Sequence, residues 1–170
     1  MTSPTARTWS QRGHTPIVTV RGRSRRQVSI AALTCHKPGH RSRLIYRPRR
    51  HIRVSDRKSM SENDYRDLLD AAHAQLGEPI VLLWDNLNTH TSARMRSIAA
   101  ARDWLTVFQL PSYAPELNPV EGIWSLLRRG LANTLFTDPA HLMTAVRSRL
   151  RRIQYRSGLI DGCLTETGLQ

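Results

Sequence analysis

The sequence predicts an α/β fold, in which one mixed sheet is flanked by helices. Two observations carry this prediction. Short β-branched segments joined by turns occupy residues 15–46 and indicate an antiparallel meander. Beyond residue 60, segments of helical and strand periodicity alternate, as in folds that cover a sheet with helices. The chain has 170 residues, of which 39% are hydrophobic, enough for a single domain with its own core.

The N-terminal part reads as strands separated by basic turns. Residues 1–13 are polar and predict an irregular remnant, and the domain is expected to span residues 14–170. Strands are predicted at residues 15–20, 27–35 and 43–46, separated by turns at 21–26 and 37–40. Residues 47–60 contain Pro48 and six Lys or Arg residues, so they predict an exposed loop.

The first predicted helix has clear boundaries. Ser61 is a favourable N-cap, and Asp64 three residues later approaches the capping-box pattern. Gly77 is expected to end the helix. One face carries apolar side chains at helical spacing: Tyr65, Leu68, Leu69, Ala72 and Leu76.

The remaining segments alternate between strand and helix. The apolar run 79–84 predicts a strand buried on both faces, and 104–110 predicts another strand. Three helices are expected. The first spans residues 91–101, and the second begins after Asn118 as N-cap with Pro119 at its first position. The third runs from Thr137-Asp-Pro139 to about residue 153. The second of these helices directs Ile123, Trp124 and Leu127 inward, and the last one Leu142, Val146 and Leu150.

Charge is the dominant bulk property. There are 26 Lys and Arg residues against 13 Asp and Glu residues, a formal net charge of +13. Most of the cations are Arg, which binds phosphate oxygens through two parallel hydrogen bonds. A polyanion, and first of all a nucleic acid, is therefore the expected partner. The alternative is an Arg-rich codon bias combined with ordinary solvated surfaces.

Two arginine groups are candidates for DNA binding. The first is the predicted hairpin turn with Arg21, Arg23, Arg25 and Arg26, and the second is Arg128 and Arg129 on a helix. For the first group a solvated hairpin tip remains the alternative, and for the second a hydrated helix face.

The sequence indicates a cytoplasmic protein. No stretch approaches the roughly 18 apolar residues of a membrane span, and the N-terminus lacks the apolar segment of a signal peptide. Cys35 and Cys163 are isolated thiols, which suits a reducing compartment.

Asp85 is the first candidate catalytic residue, because it directly follows the apolar run 80–84. In open α/β sheets, ligands bind at the carboxyl ends of the strands. The alternative is that Asp85 caps the following turn with Asn86 and Asn88.

Glu121 is the second candidate, with 35 residues between it and Asp85. At the third position of its helix it could simply complement the helix dipole. The preceding segment favours a functional role for Glu121, because three prolines stiffen its backbone and Tyr113 and Trp124 are expected to anchor it. The stiff entry could also be only a packing device. The prolines are Pro111, Pro115 and Pro119.

Two carboxylates on separate elements suit a hard divalent cation. Mg²⁺ and Mn²⁺ prefer oxygen ligands, and Mg²⁺ retains waters that substrate phosphates can replace. Two such ions would stabilise the attacking and leaving oxygens of a phosphoryl displacement.

The two motifs resemble the DDE endonuclease domain of insertion-sequence transposases of the mariner superfamily. They are Trp84-Asp-Asn-Leu-Asn-Thr-His90 and Leu110-Pro-Ser-Tyr-Ala-Pro-Glu-Leu-Asn-Pro-Val-Glu-Gly-Ile-Trp124. The resemblance implies a ribonuclease-H-like fold and metal-dependent DNA strand cleavage and transfer by three acidic residues. Asp85 matches the second acid and Glu121 the third. Asn118 and His90 match supporting positions.

The first acid of that family has no counterpart here. It is expected on the first strand of the sheet, upstream of residues 8–13, and residues 1–7 contain no acid. The earliest aspartate is Asp56, and Asp64, Asp67 and Asp70 fall on a predicted helix. The resemblance therefore implies an N-terminally truncated domain without its first strand.

Two functional hypotheses follow. The first is a transposase catalytic domain that is inactive alone, and the alternative is a non-catalytic basic DNA-binding remnant of a decayed insertion sequence. Partnership with a second copy in a homodimer is a further open alternative.

Overall fold

The computed structural model describes residues 10–14, 28–51, 59–134, 136 and 138–168. Strands and helices alternate along them after an initial hairpin. In chain order, they are β1 (Val28–Cys35), β2 (Arg43–Arg50), α1 (Glu62–Leu76), β3 (Ile80–Trp84), α2 (Ala93–Ala100), β4 (Leu105–Gln109), a 3₁₀ turn (Pro115–Leu117), α3 (Pro119–Leu131), α4 (Pro139–Gln154) and α5 (Ser157–Thr165).

The antiparallel pair β1–β2 carries helices on both faces. Its side chains alternate between two cores, as the twofold period of a strand requires. Val28 and Leu44 pack with α3, α4 and α5, whereas Ala31 and Ile45 pack with α1. This pair of strands therefore forms the middle layer of the domain.

The parallel pair β3–β4 is covered on one face. Leu82 and Trp84 are buried against α1 and α2. On the other face Val81 is 67% exposed and Leu83 41% exposed, and Phe108 of β4 is 55% exposed. The prediction that residues 79–84 form a strand is confirmed, but the prediction that it is buried on both faces is wrong.

The sheet differs from the expected single mixed sheet. In the described part of the chain, β1 pairs with β2 and β3 pairs with β4, in two separate two-stranded sheets. The predicted strand at residues 15–20 lies outside the described residues, as does the basic turn 21–26. The α/β class with flanking helices is confirmed.

Two features of the secondary structure differ from the sequence prediction. The basic segment 47–50 is part of β2 rather than of a loop, because each of its residues has a partner on β1, up to Arg50 opposite Val28. Pro48 is tolerated there, since β2 has no second neighbour among the described strands. α5 was not predicted. Its N-cap, Arg156, makes no side-chain capping bond, so the usual sequence signal of a helix start is missing.

The helix α1 agrees with its prediction in detail. Ser61 and Asp64 form a reciprocal capping box, and Gly77 ends the helix in the left-handed conformation. Leu68, Leu69 and Ala72 are buried. None of the helices in the described part of the chain has the length and apolarity that a membrane crossing requires.

Candidate active site

Asp85 lies where β3 ends and the chain turns. Its Oδ1 accepts a hydrogen bond from the backbone N–H of Leu87 at 3.2 Å and lies 2.8 Å from Nδ1 of His90. The turn-capping role is therefore present. Among the described residues, however, Oδ2 accepts no hydrogen bond, and the side chain is 50% exposed. One carboxylate oxygen holds the loop, and within the described part of the chain the other is open to a ligand.

His90 is held between aromatic rings behind Asp85. Its ring stacks on Trp84 at 4.3 Å with an interplanar angle of 2° and meets Tyr65 edge-on at 4.6 Å. Burial lowers the pKa of His90, and the nearby Asp85 opposes this only in part. The neutral ring donates Nδ1–H to Asp85, because the carboxylate oxygen opposite it can only accept; its Nε2 is buried with no partner among the described residues. His90 therefore orients the Asp85 carboxylate.

Tyr65, on α1, is the third ring of this cluster. Burial, together with the negative charges of Asp85 and Asp64, raises the pKa of Tyr65 to about 12. The phenol stays neutral, so it adds no third negative charge beside Asp85. Neither Tyr65 nor Trp84 was predicted as part of the site, because apolar periodicity alone assigned both to the core.

Asn86 links the two halves of the site. Its Nδ2 donates to the carbonyl oxygen of Leu110 at 2.7 Å. Leu110 N–H in turn donates to the carbonyl oxygen of Trp84 at 2.9 Å. The loop after β3 is thereby fixed to the end of β4, where the proline-rich segment toward Glu121 begins. Sequence reasoning considered Asn86 only as a turn residue.

Glu121 occupies the third position of α3. Asn118 caps the helix as predicted, with its Oδ1 accepting from Val120 N–H at 3.1 Å, and Pro119 occupies the first position. The Glu121 side chain is exposed and makes no hydrogen bond with the described residues. It therefore does not close a capping box, although it does lie at the positive end of the helix dipole.

The segment that leads into α3 packs differently from the prediction. Trp124 is partly buried against the core next to Ile123 and Leu127, which are fully buried. Tyr113 is completely exposed and has a positive φ of 61°. The prediction that Tyr113 anchors this segment is wrong, because its ring lies in solvent.

One cleft brings the predicted residues together. A cavity of about 790 Å³ lies between β1 and β3, and Asp85, His90, Asn118 and Glu121 all line it. The strand end and the helix start that carry the two carboxylates thus face the same space. Among the residues that the structure describes, no cluster of three or more His, Cys, Asp or Glu side chains could hold a metal ion.

The aspartates of α1 are engaged elsewhere. Each is paired with arginine: Asp64 with Arg49 at 2.5 Å, Asp67 with Arg47 at 3.1 Å and Arg66 at 2.7 Å, and Asp70 with Arg102 at 2.7 Å. Burial opposes the charged form of Asp64, but hydrogen bonds from Ser61 and Arg49 outweigh it and lower its pKa. These acids stabilise α1 and are not available as a third ligand. Asp56 lies outside the described residues.

The candidate DNA-binding arginines divide into two groups. Arg21, Arg23, Arg25 and Arg26 lie outside the described residues. Arg128 and Arg129 are exposed near the end of α3, and Arg129 lines a second groove together with Glu121. Arg129 lies eight positions after Glu121 on the helix, which corresponds to about 12 Å along the axis.

The two carboxylates supply part of the coordination that a hard divalent cation needs. Asp85 and Glu121 offer carboxylate oxygens to one solvent-accessible cleft, and oxygen is the ligand that Mg²⁺ and Mn²⁺ prefer. Two carboxylates leave most of the coordination to water, substrate or further groups.

Comparison with known proteins identifies the family of the chain. The sequence model of the DDE superfamily endonuclease family matches residues 2–142. An uncharacterized protein, y4pE/y4sA, of Sinorhizobium fredii (strain NBRC 101917 / NGR234) is 34% identical over 80 residues, which are 46% of this chain and 52% of that protein.

Solved structures show the same fold. The Mos1 strand transfer complex matches with a TM-score of 0.54 and 12% identity, over 96% of this chain and 49% of that one. The Mos1 transposase paired-end complex with the left transposon end matches with a TM-score of 0.52 and 12% identity, over 94% and 50%.

The chain thus spans about half the length of the relatives it matches. The structural matches confirm the ribonuclease-H-like α/β fold. The family match covers more than half of the chain, including both acidic motifs. The chain belongs to the DDE superfamily endonuclease family.

Proposed function

We propose that this chain is the catalytic domain of a transposase, which cleaves and joins DNA strands with divalent cations. The observation that carries the proposal is the shared cleft of Asp85 and Glu121, in a chain of the DDE family. The Mos1 neighbours are, by their titles, a strand transfer complex and a paired-end complex with a transposon end. DNA is accordingly the proposed partner here.

Asp85 and Glu121 are the proposed cation ligands, and Mg²⁺ or Mn²⁺ the proposed ions. When bound, the cations would stabilise the charge that develops on the attacking and leaving oxygens of the phosphodiester. His90 keeps Asp85 oriented through the Nδ1–H bond, and burial keeps His90 neutral. Asn118 fixes the start of α3 and with it the position of Glu121.

The proposed site is incomplete within the described residues, since Glu78, the carboxylate that lines the cleft besides Asp85 and Glu121, is paired with Lys37. We therefore expect little or no nicking of supercoiled DNA by this chain in Mg²⁺ or Mn²⁺. Robust nicking that Asp85→Asn abolishes, and that the exposed-acid control Asp103→Asn leaves intact, would show that the site is complete. Cation binding that is unaffected by Asp85→Asn and Glu121→Gln would refute the transposase proposal itself.

A non-catalytic DNA-binding role is the second candidate, favoured by the net charge of +13. Both candidates expect salt-dependent binding to DNA, because arginine contacts to phosphates release counterions. The double variant Arg128→Gln/Arg129→Gln should reduce the slope of log affinity for double-stranded DNA against log salt concentration by about two. Binding of a divalent cation distinguishes the two candidate functions. The non-catalytic role predicts no cation binding that depends on Asp85.

A further inference from the structure

The solvent face of α4 and the turn after it carry positive charge that no acidic residue balances. Between Asp138 and Asp161 the sequence has five arginines and no Asp or Glu. Four of the five are exposed, and the ion pairs within the described part of the chain include none of these four. They are Arg147, Arg151, Arg152 and Arg156. Two of them lie in the last turn, where they complement the helix dipole. Arg147 lies earlier in the helix, so the charge exceeds what the helix end requires.

The arginines on the other side of the same pair of strands are neutralised. Arg47 of β2 pairs with Asp67 of α1, and Arg49 pairs with Asp64. The helix α4 covers the opposite face of β1 and β2 and brings no acidic residue to it. A local excess of unpaired positive charge of this kind attracts a polyanion.

An exposed aromatic ring belongs to the same surface. Arg147, Arg151 and Tyr155 follow one another at intervals of four residues, so they lie along one side of the helix. The guanidinium group of Arg151 lies 5.8 Å from the centroid of the Tyr155 ring, and Tyr155 is 75% exposed. An arginine beside an exposed aromatic ring is the combination on which proteins stack the unpaired bases of single-stranded nucleic acids.

The strand β2 fixes the position of this surface. Tyr46 of β2 is partly buried against the core beneath α4. Burial raises the pKa of Tyr46, and the positive charges of Arg151 and Arg147 oppose the rise, so both guanidinium groups lie near its hydroxyl. At the end of the helix, Gln154 Nε2 donates to the carbonyl oxygen of Leu44 at 2.9 Å. The arginines and the two tyrosines are therefore carried by packed elements and not by a loop.

This surface is distinct from the candidate active site. The helix α4 packs on β2, β2 pairs with β1, and the cleft lies on the other side of β1. None of the described residues that line the cleft belongs to α4. A nucleic-acid segment bound at α4 would therefore be held apart from the carboxylates of Asp85 and Glu121.

We propose that Arg147, Arg151 and Tyr155 form a binding surface for single-stranded DNA, separate from the cleft. The two guanidinium groups bind phosphates of the strand, the Tyr155 ring stacks on an unpaired base, and the neutral Tyr46 hydroxyl donates to the backbone. Duplex DNA offers the phosphates but no free base face, so this surface prefers unpaired nucleotides. The inference rests on the proposed function for the choice of DNA as the nucleic acid.

The test measures binding of a fluorescein-labelled single strand of about 12 nucleotides to the whole chain by fluorescence anisotropy. A duplex of the same length serves as the comparison. EDTA is present throughout, so the result does not depend on cation binding by Asp85 and Glu121. Failure of the single-strand surface and failure of the cation site are therefore separate results.

A matched pair of variants examines the stacking. Tyr155→Ala should weaken binding of the single strand by about tenfold, because one base loses its aromatic partner. Tyr155→Phe keeps a ring and should bind the single strand within about twofold of the parent chain. Binding of the duplex should be the same in both variants, because its bases are already stacked on one another.

A second pair examines the phosphate contacts. The double variant Arg147→Gln/Arg151→Gln should lower the slope of log affinity for the single strand against log salt concentration by about 1.4, since each phosphate contact accounts for about 0.7. The control Arg94→Gln/Arg96→Gln removes the same charge from α2 and should leave that slope unchanged. Equal slopes in the double variant at α4 and in the parent chain would overturn the proposal.

Photo-cross-linking of the parent chain locates the bound strand without any substitution. With 5-iododeoxyuridine in the single strand, we expect a cross-link to Tyr155, identified by mass spectrometry of the digested chain. Cross-links confined to other segments of the chain would overturn the proposal, and so would an unchanged affinity of Tyr155→Ala for the single strand.

Discussion

Substitutions at His90 can separate the energy of its ring contacts from the energy of its hydrogen bond to Asp85. His90→Ala removes the stack on Trp84, the edge contact with Tyr65 and the bond to Asp85. Aromatic contacts of this kind contribute about 0.5–1.5 kcal/mol each, and the hydrogen bond a further ~0.5–1.5 kcal/mol. The expected loss in the free energy of unfolding is therefore about 1.5–4.5 kcal/mol for His90→Ala.

His90→Phe is the matched variant, because it retains a ring against Trp84 and Tyr65 and loses only the bond to Asp85. Its expected cost is about 0.5–1.5 kcal/mol. Urea unfolding monitored by far-UV circular dichroism measures both variants. Equal destabilisation by His90→Phe and His90→Ala would contradict this expectation, because it would mean that the ring contacts contribute nothing.

The same residue gives stability a dependence on pH. Burial holds the pKa of folded His90 below the ordinary value of 6.5. Its contribution to stability is therefore fully present above the unfolded pKa of about 6.5 and is lost as pH falls through the folded pKa. Urea midpoints measured from about pH 7.5 down to pH 5 should fall more in the parent chain than in His90→Phe. Identical pH profiles would contradict the buried, neutral state of His90.

Two further predictions concern the elements that position the site. Asp64→Asn weakens the capping box of α1 and its ion pair, and should lower the free energy of unfolding by about 1–2 kcal/mol at neutral pH, measured by urea unfolding. Gly122→Ala places a Cβ 2.7 Å from Sγ of Cys163, and should cost about 1–3 kcal/mol through overpacking between α3 and α5. Gly162→Ala, where the added methyl meets open space, is the control and should not destabilise; destabilisation by both would point to a cause other than that contact.

Local signals in the sequence were sufficient for most helices and strands. The start of α1 follows from Ser61 and Asp64, and the start of α3 from Asn118 and Pro119, because capping depends on residues adjacent in the chain. The two acids of the cleft followed from their motifs. Their presence in one cleft depends on packing between β3 and α3, which periodicity does not specify.

Tertiary context accounts for what the sequence did not predict. The strand β2 continues through Arg47–Arg50 because β1 supplies partners, although the local composition is that of a loop. The apolar run of β3 predicted burial on two faces, yet Val81 and Leu83 remain exposed because no described helix covers that side. The role of Tyr65 depends on the approach of α1 to the loop after β3, and its spacing alone indicated only a core residue.

The proposed function requires Asp85 and Glu121 to hold divalent cations within one shared site. Bound Fe²⁺ with ascorbate and peroxide generates hydroxyl radicals, which cut the backbone near the metal. We expect cuts beside both residue 85 and residue 121, suppressed by excess Mg²⁺ and lost at both places in Asp85→Asn, while Glu116→Gln leaves them unchanged. Cutting at only one of the two segments, or no cutting at either, would contradict the shared site.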